Sequence, residues 1–459
     1  MAAVAQDREA TRHGREVESG GDEKDRPITR VTRWMRNSWV PIVLTIVACV
    51  SGGIITAQHS EQLAPFDEWV YYDYVLKIPT NGIVRQGEFI GHEALEAMAC
   101  DGDAFGPRGE PCGDVQDNYA VYPQGGKTSA DIYTPLYFGV TWVLGKAVQF
   151  ATGAEFLTAA RSTGIFWLVG GLLVFYRLLE LLKVRRMVSL GLGLAIIGAP
   201  TTFWANTYIS TDAPALLVGA LLLLAGISAT KGRSSPWWLV PIAVVGILLK
   251  VTMVLPLGLV ALFMILFVLF SRDSVDRTRK RRLVWATAVA VVSAMIAEVL
   301  WLLVRTWVSI GPGPDQGLTT DFLWRDIVGK LSLFLNPGAL GGGYDEAFRI
   351  PQIIGQPLVL LTVAGVIAFA CAKLVTVMER SLAISILVAA TVFAPILALS
   401  MFFLLGDVFP VIARYAIPLL PAYFVAAAFM IKNRVAEWIL VAYGGLLVLT
   451  VTACAIAFA

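Results

Sequence analysis

Charged side chains are scarce in this 459-residue chain: they make up 15% of it, against 57% hydrophobic residues. Histidine is scarcer still, with three copies, so a zinc site built from histidine and cysteine is not expected. Apolar runs of about 20 residues recur along the chain, and each is long enough to cross the hydrocarbon layer of a membrane. The composition excludes a water-soluble fold and predicts an all-α polytopic membrane protein.

Other signatures are missing as well. The chain has no nucleotide-binding motif, no pattern typical of nucleic-acid binding and no internal repeat. No cleavable signal peptide is evident, because residues 1–38 are polar and mixed in charge and the apolar run at 39–57 is typical of a retained span. We therefore expect a cytoplasmic tail over 1–38, a first transmembrane helix over 39–57, and no nucleic-acid partner.

Lysine and arginine positions predict the orientation, because these residues concentrate in short cytoplasmic loops. Four arginines between positions 26 and 36 precede the first span, and a second basic cluster lies at 272–282. The N-terminus is thus predicted to be cytoplasmic, in a multi-pass protein of the plasma membrane. Two long segments, 58–132 (loop one) and 306–350 (loop two), are predicted to be extracytoplasmic.

Twelve apolar peaks mark candidate spans, but twelve crossings conflict with the basic clusters. Six peaks lie between loop one and the cluster at 272–282, and an odd number is required for the chain to change sides. The peak at 133–152, which contains Lys146, is interpreted as the one that does not cross. The sequence therefore predicts about eleven transmembrane helices, grouped as a catalytic module at 133–305 and C-terminal helices at 351–459.

Loop one opens on the stretch APFDEWVYYDY, which places two adjacent carboxylates, Asp67 and Glu68, where the chain leaves the bilayer. Both are expected to lie in a solvated loop that forms the roof of an active site. Four aromatic residues follow between positions 69 and 74. They are typical of a membrane-interface belt, and stacking on sugar faces is the alternative.

Two of the five cysteines, Cys100 and Cys112, also lie in loop one and enclose eleven residues rich in glycine, proline and acids. An external compartment permits oxidation, so the spacing predicts a disulfide. A metal-binding pair is the alternative, but zinc would need further cysteine or histidine ligands at suitable spacing.

Three ionisable residues at membrane depth or at span ends need an explanation, because such groups are costly there and usually face a cavity. They are Asp212 in STDAPALL, Lys250 in GILLKVTMVLP and Arg414 in FPVIARYAIPLLP. Each also has a simpler interpretation, since Asp212 could cap a helix and the two cations could snorkel to lipid headgroups. The predicted topology puts all three on the side of Asp67 and Glu68, which favours one shared outward cavity.

In order along the chain, these motifs resemble the GT-C superfamily of membrane glycosyltransferases, which use polyprenyl-phosphate sugars, and in particular its protein O-mannosyltransferase and aminoarabinose transferase branch. The matching segments are FDEWVYY, DIYTPLYFGVTWVLG, STDAPALL, GILLKVTMVLP and ARYAIPLLP, which together span roughly residues 40–430. The chain departs from the pattern at Tyr133-Thr134-Pro135, where family members often carry a basic residue before two prolines.

The resemblance implies an inverting glycosyltransferase that moves a sugar from a polyprenyl-phosphate donor to an extracytoplasmic acceptor, which is a cell-envelope glycan, a lipid or a protein. The residues suit this chemistry, because a phosphate leaves without a proton and the site then needs one carboxylate as general base and cations around the phosphate. A divalent cation, Mg²⁺ or Mn²⁺, is compatible with acidic ligands, although no local pattern demands one. The predicted roles are Asp67 as base, Glu68 as a contact to acceptor or metal, Lys250 and Arg414 as phosphate contacts, and Asp212 and Tyr415 as further substrate-binding residues.

Other functions remain open at this point. A polytopic transporter or flippase would also place charges in a membrane cavity. A polysaccharide polymerase or ligase of the cell envelope would share a large external loop, although it normally places that loop late in the chain. A non-catalytic scaffold would tolerate the loss of both loop carboxylates.

Overall fold

The computed structural model describes residues 39–59, 62–64, 67–103, 105–271, 275–315, 320, 323–336, 349–408 and 410–457. The expected cytoplasmic tail lies outside the described residues, as do Arg272 of the basic cluster and residues 316–319, 321–322 and 337–348 of loop two. Residues 40–459 form one compact unit.

The described chain is helical almost throughout, because the apolar runs satisfy their backbone hydrogen bonds internally, as a lipid environment requires. Its extended pairing is limited to two isolated bridges, Phe89 with Lys127 and Asp103 with Gly106. The α-helices in chain order are α1 (Trp39–Gln58), α2 (Glu68–Asn81), α3 (His92–Cys100), α4 (Pro135–Thr152), α5 (Phe156–Leu181), α6 (Arg186–Ile197), α7 (Pro200–Asn206), α8 (Ala215–Thr230), α9 (Leu239–Leu249), α10 (Val254–Phe270), α11 (Arg277–Val308), α12 (Trp324–Gly329), α13 (Arg349–Cys371), α14 (Val377–Leu405), α15 (Leu420–Met430) and α16 (Arg434–Ala457).

Within the described residues, eight segments are long and apolar enough to cross a membrane, and a ninth results if α6 and α7, bent by 61°, form one broken span. They contain α1, α5, α10, α11, α13, α14, α15 and α16. The other apolar helices are α4, with 18 residues, and the shorter α8 and α9. Each of the twelve apolar peaks predicted from the sequence thus corresponds to one helix or to the bent pair of α6 and α7. The all-α multi-pass class is confirmed, and the count of eleven spans stays a prediction.

Breaks between helices bring polar residues together inside this apolar bundle. Between α9 and α10, Lys250 has an extended backbone (φ −163°, ψ 133°) and is followed by the 3₁₀ turn Val251–Met253. Another 3₁₀ segment, Ala413–Leu419, carries Arg414 into α15. Gly219 of α8 allows this segment to approach, because a Cβ at that position would lie 1.9 Å from the carbonyl oxygen of Pro418. Side chains at such breaks can face one another across the bundle.

Loop one folds into its own small structure around a buried ion-pair cluster. The Lys77 ammonium contacts Asp73 Oδ2 at 2.8 Å and Glu88 Oε1 at 3.2 Å, and it donates to the carbonyl of Phe89 at 2.6 Å. Asp73 also accepts a hydrogen bond from the backbone N–H of Gly91. Burial raises the pKa of Asp73, and the neighbouring Lys77 opposes that rise. The cluster therefore fastens α2 to the turn that precedes α3.

The two loops also touch each other. The N–H of Ile310 donates to the carbonyl of Gln86 at 3.0 Å, and the Lys127 ammonium donates to the carbonyl of Pro312 at 3.3 Å. Loop one and the start of loop two therefore lie on the same side of the helix bundle, as the topology predicts for two segments outside one membrane face.

The predicted disulfide between Cys100 and Cys112 is confirmed. Replacing both cysteines with serine should lower the free energy of unfolding of loop one by about 2 to 4 kcal/mol, because the open chain gains conformational entropy. Limited proteolysis of the detergent-solubilised protein measures this as faster cleavage within loop one. Replacing Cys49, a free cysteine of α1, with serine is the matched control and should leave the cleavage rate unchanged. Equal cleavage rates for all three proteins would contradict the prediction.

Candidate functional site

Four charged residues predicted from the sequence form one continuous row. Asp67 Oδ2 lies 3.1 Å from Arg414 Nη2, and Arg414 Nε lies 4.0 Å from Asp212 Oδ2. The second oxygen of Asp212 lies 2.6 Å from Lys250 Nζ. Acids and bases therefore alternate along the row, although the four residues come from widely separated parts of the chain.

The row runs from an open end to a buried end. The side chain of Asp67 is 44% exposed and that of Arg414 is 24% exposed, whereas those of Asp212 and Lys250 are 4% and 3% exposed. A buried charge without a partner is strongly destabilising, so the buried pair depends on its short contact. Asp67 is the member that a molecule from outside the protein reaches most easily.

Asp67 is held in an unusual backbone conformation directly before α2. Its φ of 59° lies in the left-handed region, which aspartate tolerates better than most residues. Its carbonyl accepts the N–H of Tyr71 at 3.0 Å, so the residue begins the first turn of the helix. This turn directs the chain so that Asp67 and the next residue, Glu68, have different environments.

Glu68 is fully buried, so the expectation that it lies in a solvated loop is wrong. Arg161 donates two hydrogen bonds to its carboxylate, from Nε to Oε1 and from Nη2 to Oε2, both at 2.9 Å. The carboxylate also accepts the backbone N–H groups of Ala64 at 2.7 Å and Ile209 at 2.9 Å. Four charge-assisted hydrogen bonds make Glu68 a junction between loop one and the segment that leads to Asp212.

Arg161 is the residue of this site that the sequence reasoning missed. It is fully buried in α5, donates from Nη2 to the carbonyl of Gln62 at 2.8 Å, and lies over the ring of Tyr208 at 5.0 Å. The signal was available, since an arginine inside an apolar run is costly and needs an acidic partner. What the sequence does not show is that its partner is Glu68, 93 positions away.

Tyrosines surround the buried end of the row. The Lys250 ammonium lies 6.0 Å from the ring centre of Tyr133 and 5.8 Å from that of Tyr415. The Tyr71 hydroxyl donates to that of Tyr133 at 3.1 Å, and burial raises the pKa of Tyr71 well above its usual value. Tyr415, which the sequence predicts as a substrate-binding residue, thus lies beside Lys250. Tyr133, at the position where the family pattern has a basic residue, contributes an aromatic face instead.

The aromatic residues of α2 are not an interface belt. Trp69, Tyr71, Tyr72 and Tyr74 are all buried within the protein. Tyr74, for example, stacks on Phe138 of α4 with ring centres 4.0 Å apart. They pack α2 against the membrane helices, and this arrangement agrees neither with a lipid-facing belt nor with an open sugar platform.

A further ion pair, buried on its acidic side, joins loop one to α11. Arg305, near the end of α11, donates from Nε and Nη2 to Asp131 Oδ2, both at 2.7 Å. One turn earlier, the Trp301 indole donates to the carbonyl of Ile132 at 2.9 Å. These contacts hold the start of α4 against α11, and between those two helices a groove opens.

The groove is apolar and has a volume of about 880 Å³. At one end the Thr134 hydroxyl donates to the carbonyl of Leu248, two residues before Lys250. The groove therefore ends beside the buried part of the charged row. Its lining consists of Thr134, Pro135, Leu136, Gly139, Val140, Val143, Leu144, Leu248, Ala297, Leu300, Trp301 and Val304.

The arrangement of the site does not suit a divalent cation between the two aspartates. The guanidinium of Arg414 occupies the space between Asp67 and Asp212. Among the residues that the structure describes, no three histidine, cysteine or acidic side chains come together as metal ligands. No catalytic step is therefore assigned to a metal ion.

Comparison with known proteins gives structural neighbours only. No protein-family model and no curated protein matches the chain. Solved structures that resemble it include ArnT from Cupriavidus metallidurans in the apo state, with 16% identity, a TM-score of 0.46 and coverage of 89% of this chain and 62% of ArnT. ArnT bound to undecaprenyl phosphate gives 16% identity, a TM-score of 0.47 and coverage of 86% and 61%. ArnT is an aminoarabinose transferase of the GT-C superfamily. At this identity the likeness concerns the fold alone.

Replacing Arg161 with methionine should destabilise the protein by about 3 to 5 kcal/mol, because it leaves the Glu68 carboxylate buried without its partner. Thermal unfolding of the detergent-solubilised variant measures the loss. The matched control is Arg177→Met in the same helix, since Arg177 is 70% exposed and its pair with Glu180 is worth little. A melting temperature that falls equally for both variants would contradict the role of the buried pair.

Proposed function

We propose that the chain is an inverting glycosyltransferase that moves a sugar from a polyprenyl-phosphate donor to an extracytoplasmic acceptor. The observation that carries this proposal is the position of the charged row, which has an accessible carboxylate at one end and lies beside an apolar groove at the other. The acceptor is a cell-envelope glycan, a lipid or a protein.

The groove suits the polyprenyl chain of the donor. Burying apolar surface contributes roughly 25 cal/mol per Å², so the apolar lining of the groove favours a hydrocarbon chain over water. A chain lying between α4 and α11 would direct its phosphate towards Lys250, past Thr134 and Leu248. Donor binding would thus place the phosphate at the cationic part of the row.

Arg414 is the cation best placed to contact that phosphate. Its guanidinium is partly exposed and lies between two carboxylates, so it can exchange one of them for a phosphate oxygen. Lys250 is buried against Asp212 and reaches the phosphate only where the donor displaces that contact. Cations fixed in this way stabilise the negative charge that grows on the departing phosphate.

Asp67 is proposed as the general base. The acceptor oxygen forms a bond to the anomeric carbon, and the bond from that carbon to the phosphate oxygen breaks with its electron pair leaving on the phosphate. The acceptor proton passes to Asp67. A single displacement of this kind inverts the anomeric configuration, and a base of this type typically contributes about 10²- to 10⁴-fold to the rate.

Glu68 is proposed as a positioning residue rather than a contact to acceptor or metal. It is fully buried and bonded to Arg161 and two backbone N–H groups. These bonds fix the chain on either side of the row, since Glu68 adjoins Asp67 and Ile209 lies three residues before Asp212. Glu68 thereby sets the separation of the two aspartates.

A lipid carrier is the second candidate, because the same groove and cations would suit a flippase for polyprenyl phosphates. Incubation of the purified protein with a labelled polyprenyl-phosphate sugar separates the two. Release of polyprenyl phosphate, together with label on an added envelope fraction, supports the transferase. Saturable binding of the intact donor without release would instead favour the carrier.

Asp67→Asn should lower kcat by about 10²- to 10⁴-fold while leaving donor binding nearly intact, because the amide keeps the shape but accepts no proton. Initial rates with the labelled donor measure this effect. The matched control is Glu96→Gln, an exposed carboxylate of α3 elsewhere in loop one, which should keep the wild-type rate. Near-wild-type transfer by Asp67→Asn would show that Asp67 is not the general base.

Arg414→Gln should raise the donor KM and also lower kcat, because the contact to phosphate strengthens as charge develops in the transition state. Each effect should be about tenfold or more, as for a lost charge-assisted hydrogen bond. Steady-state rates over a range of donor concentrations give both constants. Arg325→Gln, which removes an exposed arginine of α12, is the control and should change neither constant. An unchanged kcat and KM in Arg414→Gln would mean that Arg414 does not contact the donor.

A further inference from the structure

A polar cavity lies at the far end of α11 from the charged row. It has a volume of about 520 Å³ and lies between the end of α8, the 3₁₀ turn Pro236–Trp238 and the first turns of α11. Arg305 contacts loop one near the opposite end of the same helix, about 42 Å away for 28 residues at 1.5 Å each. The cavity is thus separate from the proposed transferase site.

The lining of this cavity is cationic and rich in hydroxyl groups. It includes Arg279, Arg282, Ser234, Ser235 and Thr278. One acid, Asp276, also lines it, but its carboxylate caps α11 by accepting the N–H groups of Thr278 at 2.9 Å and Arg279 at 3.3 Å. The negative charge of Asp276 is therefore partly offset by the start of the helix.

The two arginines differ in what they already bind. Arg279 donates from Nη2 to the carbonyls of Ala229 at 3.1 Å and Thr230 at 2.8 Å, so it caps the C-terminal end of α8. Arg282, one turn later, makes no ion pair or side-chain hydrogen bond with any residue that the structure describes. Within the same described residues, the buried Ser234 hydroxyl oxygen also has no hydrogen-bond partner.

We propose that this cavity binds a phosphoryl group through Arg282, Ser234 and the neighbouring hydroxyls. A phosphate offers several acceptor oxygens, and it matches a guanidinium that donates two parallel hydrogen bonds. It would also give the buried Ser234 hydroxyl an acceptor, which removes the cost of an unmade hydrogen bond. Arg279 stabilises the wall of the cavity through its hydrogen bonds to the end of α8. Arg282 supplies the positive charge that binds the phosphoryl group.

The phosphoryl group has two possible sources, a phospholipid headgroup and a soluble phosphate compound. Two tryptophans, Trp237 and Trp238, follow the lining residue Pro236 and are 42% and 61% exposed. Exposed tryptophans are typical of the level of lipid headgroups, and basic pockets between helices bind anionic lipids. Both sources are tested with the same variants.

The first arm measures phosphatidylglycerol binding to the full-length detergent-solubilised protein by native mass spectrometry. Arg282→Gln should weaken binding by about tenfold to a hundredfold, because a charge-assisted hydrogen bond is lost, and Ser234→Ala by about three- to tenfold. Arg281→Gln removes the same charge from an exposed neighbour that does not line the cavity, and it should leave the affinity unchanged.

The second arm measures the thermal shift produced by inorganic phosphate in the same four proteins. A shift that Arg282→Gln abolishes, without selective phosphatidylglycerol binding, supports a soluble phosphate ligand. Selective phosphatidylglycerol binding without a phosphate shift supports a lipid headgroup. Equal losses in Arg281→Gln and Arg282→Gln, or no effect of either variant in both arms, would overturn the proposal. Unchanged melting temperatures without ligand confirm that the variants are folded.

Discussion

The buried pair of Glu68 and Arg161 is the contact on which the rest of the site depends. Placing two charges inside an apolar bundle is costly, and the cost is offset only by complete hydrogen bonding. The pair meets that condition by also binding backbone groups of Gln62, Ala64 and Ile209. As a result, loop one is anchored within the bundle directly beside Asp67, and this anchor holds the outer end of the charged row in place.

The exposure of the side chains to solvent decreases along the charged row, from Asp67 at its outer end to Lys250 at its inner end. Its inner members, Asp212 and Lys250, neutralise each other away from water, whereas Arg414 is shared between two acids and Asp67 faces outwards. Electrostatic interactions strengthen as the surroundings become less polar, so the inner pair fixes geometry and the outer pair remains exchangeable. The same set of charges can therefore serve both structure and chemistry.

The sequence predicted the fold class, the disulfide and the residues of the row. Those predictions rest on local signals, namely apolar runs, cysteine spacing and ionisable residues at breaks in the runs. The burial of Glu68 could not be predicted in this way, because an exposed acid and a buried one look alike until the partner is known. Arg161 is 93 positions from Glu68, and only the packing of α5 against loop one brings them together. The span count depends on where lipid begins, which neither apolar runs nor helix lengths decide.

The length of α11 has a mechanical consequence. Its 32 residues form a rod of about 48 Å that carries the polar cavity at one end, borders the apolar groove along its last turns and holds Asp131 beside loop one. A tilt of about 5° around its midpoint would displace each end by about 2 Å in opposite directions. A change in packing that tilts α11 at its basic end would therefore move the groove-lining end in the opposite direction, while the helix itself stays folded.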